Sequence, residues 1–83
     1  MMPIYDFRLV LDQTDISEAE ADTIYGRCKD GTLISSGEVT FMDFDRDAAT
    51  LDDAVQSAIR DVNAAGFRVA RVEIEADQLV AQP

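Results

Sequence analysis

Histidine is absent from this sequence, and cysteine occurs once, at Cys28. Without an imidazole the chain has no histidine base to activate a nucleophile, so a cysteine–histidine pair is excluded. A lone cysteine also excludes an internal disulfide and the two-cysteine loop of a metal-carrying chaperone domain, and it fits a reducing, cytoplasmic setting. The glycines, at 26, 31, 37 and 66, stand singly at the ends of predicted elements, so no glycine-rich loop cradles a phosphate. No apolar run approaches the ~20 residues of a membrane-spanning helix, and Met1-Met2-Pro3-Ile4-Tyr5-Asp6 lacks the basic-then-apolar pattern of a secretion signal. Basic side chains are scarce: 7 Lys and Arg stand against 17 Asp and Glu, a formal net charge of −10. Such a surface repels nucleic acid and anionic membrane and is drawn to basic patches on other molecules.

What is present is a foldable chain. Its 83 residues suit one domain, 1–83, that buries about 60–65% of its unfolded surface. A hydrophobic fraction of 47% and a charged fraction of 29% are ordinary for a globular protein, so the acidity decorates a core and does not mark a disordered acidic tail.

Tyr5, Phe7, Leu9 and Leu11 alternate with Asp6, Arg8, Val10 and Asp12, the period-two pattern of a half-buried strand. Ser17-Glu18-Ala19-Glu20 reads as a capping box opening a helix whose apolar positions are Ala21, Ile24, Tyr25 and Cys28. Glu18, Glu20 and Asp22 crowd its start and Arg27 and Lys29 its end, as the helix dipole prefers. Asp30-Gly31 stops it. Thr32 to Ser35 and Glu38 to Phe44 follow as strands joined by a Ser36-Gly37 turn, with Val39, Phe41 and Asp43 on one face and Thr40, Met42 and Phe44 on the other. Thr50 caps a second helix along the stripe Leu51, Ala54, Val55, Ala58, Ile59 and Val62, the strongest helical signal in the chain. Gly66 ends it, Phe67 to Glu75 reads as the last strand, and Ala76 to Pro83 as a flexible tail. The order strand, helix, strand, strand, helix, strand predicts an α+β ferredoxin-like βαββαβ fold, an antiparallel four-stranded sheet with two helices on one face.

Asp43, Asp45 and Asp47 alternate like the first ligands of a calcium loop, but Ala48 and Ala54 stand where that loop needs glycine and glutamate. They read instead as a strand end leading into a solvated acidic loop, and no metal or cofactor is expected. Cys28, on the apolar stripe, reads as a small buried hydrophobe. The paired acids Asp52 with Asp53 and Glu73 with Glu75 lack any sign of a pocket that would raise one pKa for acid–base work. The loop Gln13-Thr14-Asp15 lacks the arginine of an acylphosphatase-like anion site, and an acidic sheet is the opposite of an RNA-recognition surface. The chain is therefore expected not to be an enzyme.

Taken together, Asp-Phe-Arg-Leu-Val-Leu at 6–11, the helix around Glu18 to Tyr25, Asp43-Phe44-Asp45-Arg46-Asp47-Ala48, and the run Ser57 to Val69 carry a resemblance. They resemble small bacterial antitoxin-like or regulatory proteins whose N-terminal ferredoxin-like module precedes a helix-turn-helix DNA-binding segment. The resemblance covers Tyr5 to Glu73 and brings no catalytic residue with it. Where such proteins continue into the helix-turn-helix, this chain runs Glu75-Ala76-Asp77-Gln78-Leu79-Val80-Ala81-Gln82-Pro83, which implies either a cut chain or a free-standing module. In size, acidity and α/β build it is also similar in type to anti-CRISPR nucleic-acid mimics.

The resulting expectation is a non-enzymatic acidic module that occupies the basic surface of a nucleic-acid-binding effector, with Asp43, Asp45, Asp47, Glu18, Glu20 and Asp22 as the partner-binding residues. It makes no direct contact with nucleic acid or membrane. The alternative, implied by the resemblance, is a domain that binds a cognate toxin or forms a homodimer through an apolar sheet surface. A small-ligand sensor built from paired modules is a third.

Overall fold

In a computed structural model the chain is described over residues 3–13 and 15–76. Thr14 and most of the tail predicted as flexible, residues 77–83, lie outside the described residues. The elements are β1 (Ile4–Leu11), α1 (Glu18–Arg27), β2 (Gly31–Ser36), β3 (Val39–Asp47), α2 (Leu51–Ala64) and β4 (Val69–Glu73). The strands form one four-stranded sheet in the order β2-β3-β1-β4, with every neighbouring pair antiparallel. This is the ferredoxin-like α+β arrangement that the sequence pattern predicts.

Alternation decides which side of the sheet is covered. Phe7, Leu9 and Leu11 of β1 share a face with Thr40, Met42 and Phe44 of β3, and all six are buried. Phe7 and Phe44, directly opposed in register, stack with ring centroids 5.5 Å apart. α2 presses Ala54, Ala58 and Val62 onto this face and α1 contributes Ile24, so one core lies between the sheet and both helices. Small residues at 54 and 58 let α2 approach the sheet closely, and the half-buried Val55 and Ile59 widen its apolar stripe.

The caps form as the sequence predicts. Ser17 Oγ accepts the Glu20 N–H at 3.1 Å while Glu20 Oε1 accepts the Ser17 N–H at 3.0 Å, and Thr50 Oγ1 accepts the Asp53 N–H at 3.1 Å. Beyond α2, Gly66 takes φ +98°, a left-handed conformation that a residue with a Cβ adopts only under strain.

Three local expectations are corrected. The hairpin turns at Gly37-Glu38, because Ser36 still pairs with Val39 and Gly37 supplies the φ of +62° that the first turn position requires. β3 runs on to Asp47, so Asp43, Asp45 and Asp47 lie on a strand and not in a loop; pairing with β1 as far as Ile4 holds them there. Tyr25 is 41% exposed and is no core residue. Its hydroxyl reaches the outer edge of β2, accepting the Leu33 N–H at 2.9 Å and donating to the Leu33 carbonyl at 3.4 Å. Cys28 is buried in the core, and burial, reinforced by Asp61, pushes its thiol pKa up to about 11.

Candidate functional site

The side of the sheet away from the helices carries no covering layer among the described residues, and most of the unusual chemistry gathers there. β3 presents Asp43, Asp45 and Asp47, β1 presents Asp6 and Arg8, and β4 presents Arg71 and Glu73. Strand geometry spaces the β3 carboxylates about 6.7 Å apart and sets them about 4.8 Å from the neighbouring strand. Asp6 stands directly across from Asp45, a like-charged pair that by itself costs stability.

Arg8 anchors the centre of the face. Its guanidinium donates from Nε to Asp43 Oδ1 at 2.7 Å and from a terminal nitrogen to Asp43 Oδ2 at 3.3 Å, lies 3.9 Å from Glu73, and stacks 3.8 Å above the Phe41 ring. The hydrogen bond to Asp43 raises the Arg8 pKa above its ordinary value, so this cation is permanent. Asp43 is thereby partly neutralised, whereas Asp45 and Asp47 remain exposed. Beside Arg8 a shallow depression of about 320 Å³ is rimmed by Asp6, Asp43, Asp45, Glu73 and Glu75. Towards the hairpin the same face turns apolar, with Ile34 and Phe41 half-buried and Val39 39% exposed.

The predicted binding residues fall into two groups that the fold separates. Asp43, Asp45 and Asp47 sit together on the open face. Glu18, Glu20 and Asp22 lie on α1, in the helical layer on the other side of the sheet. Glu20 is moreover committed to its cap: the Ser17 N–H, then the Gln13 side chain at 3.1 Å, hold its carboxyl below the usual carboxylate range.

Sequence reasoning gave Asp6 and Arg8 no role and read Glu73 with Glu75 only as a pair without a sign of a pocket; the alternation of β1 gives the face of Asp6 and Arg8, but only the β1–β3 and β1–β4 registers bring them beside Asp43 and Glu73. It also left Arg46 without a role. Arg46 points to the helix side of β3, where it bonds Asp30, Ser57 and Asp61, so the segment Asp43 to Asp47 divides its charges between the two faces of the sheet.

Chemically the open face suits recognition. Among the described residues no group of three or more His, Cys, Asp or Glu side chains is placed to hold a metal ion. No described helix is long and apolar enough to cross a membrane. A scan against protein-family models and searches of the curated proteins and of the solved structures found no match to this chain.

Proposed function

We propose that the chain is a non-enzymatic binding module whose open sheet face docks on a basic, nucleic-acid-binding surface of a protein partner and competes there with the nucleic acid. The carrying observation is the array Asp6, Asp43, Asp45, Asp47, Glu73 and Glu75 on one face, 6 of the chain's 17 acidic residues. Its spacing along β3 is of the same order as that of successive phosphates along one nucleic-acid strand. Carboxylates on a rigid sheet steer and orient a basic partner, and the neighbouring Phe41, Val39 and Ile34 supply the apolar contact that gives affinity. A CRISPR effector is one partner of this kind.

The antitoxin-like reading draws on a different part of the face. Val39, the most exposed apolar side chain of the hairpin end, would there be the centre of contact with a toxin. Charge reversal separates the two. D45K/D47K should abolish capture of the partner from a host or phage-infected lysate, E18K/D22K should leave it intact, and wild-type capture should fail as salt rises from ~50 to ~300 mM. Capture that ignores both D45K/D47K and salt, yet is lost in Val39→Ser, would replace the first reading by the second.

A further inference from the structure

The two edges of the sheet are treated differently. At β2, Tyr25 occupies both backbone groups of Leu33, which therefore point away from β3. In an antiparallel ladder the bonding direction alternates residue by residue, so this one observation fixes the phase of the whole sheet. Thr32 and Ile34 bond to Asp43 and Phe41; Phe44 and Met42 turn to Phe7 and Leu9; Arg8 and Val10 turn to Glu73 and Arg71. The bond from the Asp12 N–H to the Arg68 carbonyl, at 2.8 Å, falls in the same phase. Val72, between Arg71 and Glu73, thus directs its N–H and C=O off the outer edge of β4.

We infer that β4 is the seam of a homodimer, in which two copies of the chain pair antiparallel about a two-fold axis at Val72. Val72 then exchanges both backbone bonds with Val72 of the second copy, and Ala70 lies opposite Ile74. On the open face Arg71 stands across from Glu73 of the second copy, and Glu73 across from its Arg71. These are non-hydrogen-bonded positions, where opposed side chains come closest. Within one chain Arg71 and Glu73 already interact at 3.3 Å, so pairing extends a salt bridge into a network of two arginines and two glutamates.

Charge complementarity selects both the occupant and the register. The protomer carries −10 overall, so an edge where basic and acidic groups alternate opposes a second copy less than one that sets carboxylate against carboxylate. Moving the axis to Ile74 would oppose Glu73 to Glu75, and moving it to Ala70 would place it on the irregularity where Val10 pairs with Arg71 but Leu11 with Val69. The dimer would be one eight-stranded sheet with both acidic faces on the same side. It does not depend on what that face binds.

Sedimentation velocity of the full chain over a concentration series tests the seam. A species of twice the 9.1 kDa protomer mass should grow with concentration. Arg71→Glu should weaken it about tenfold, since both opposed pairs become like-charged, and R71E/E73R should restore it. Val72→Pro, which removes an outward N–H and no bond within the sheet, should abolish it. A single protomer mass up to millimolar chain would overturn the inference, as would a dimer indifferent to Arg71→Glu or one that R71E/E73R fails to restore.

Discussion

Arg46 forks the carboxylate of Asp30, with Nε 2.8 Å from Oδ2 and a terminal nitrogen 2.9 Å from Oδ1. The same guanidinium reaches Ser57 at 3.0 Å and Asp61 at 3.0 Å and lies over Phe44, tying β3 to the start of β2 and to α2. Its side chain is only 11% exposed, while Asp30 and Asp61 keep access to water at 35% and 41%, so Arg46→Met, which keeps the aliphatic reach, should cost about 1–2 kcal/mol. Urea unfolding reads this directly; an unchanged midpoint would mean that the cluster contributes nothing.

The same pair sets an acid limit. The hydrogen bond from Arg46 holds the Asp30 carboxyl below its ordinary pKa, against the opposing effect of burial. The folded state therefore binds fewer protons than the unfolded chain in this range. The stability so gained is complete above the ordinary aspartate value and is lost as pH falls through the lowered one. Glu20, held down by the Ser17 N–H, acts in the same direction. Melting temperature should be flat near neutrality and drop below about pH 4, with a shallower drop in Asp30→Asn.

Cys28 gives a signal at the alkaline end. With the thiol raised to about 11 by burial, the folded chain keeps a proton that the unfolded chain releases, so stability should decline as pH rises from 9.0 towards 11. At neutral pH a thiol reagent should label the native chain only through unfolding. Cys28→Ser should destabilise by about 1–3 kcal/mol by burying a hydroxyl among apolar neighbours. Rapid stoichiometric labelling of native protein would contradict its place in the core.

Two glycines should respond oppositely to alanine. A Cβ on Gly31 would meet Met42 Cε and Phe44 Cε1 at 2.9 Å, so Gly31→Ala should cost about 1–3 kcal/mol by overpacking. Gly26, inside α1, has nothing within 4 Å of that position, so Gly26→Ala should add about 0.5–1 kcal/mol. Parallel thermal melts of the two variants measure both signs.

Binding and stability should part at Asp45. Replacing it by lysine turns an opposed like-charged pair with Asp6 into an opposite-charged one, expected to stabilise by about 0.2–1 kcal/mol. A D45K chain that melts higher yet no longer captures the partner would tie the loss of binding to the face and not to unfolding.

Much of this architecture is legible in the sequence because its signals are local. The alternation in β1, the Ser17–Glu20 box and the Leu51-to-Val62 stripe each follow from one element's own periodicity, and together they dictate the βαββαβ order. What is not legible depends on register. Nothing in the run Asp43 to Asp47 reveals that β1 pairs with it to the end and makes it strand, or that Arg46 faces the helices while its acidic neighbours face away. Tyr25 matches the helical period of α1, yet a phenol carries a polar end, and only the position of the β2 edge shows where that end goes. The acidic residues of α1 and β3 look like one population in composition; the sheet between them makes them two.

The most direct test of the central claim is competition on the captured partner. If the open face occupies a nucleic-acid-binding surface, rising concentrations of the host's nucleic acid should displace the wild-type chain from the purified partner, and the chain should in turn displace nucleic acid, with D45K/D47K unable to do either. Simultaneous binding of chain and nucleic acid to that partner would contradict the account.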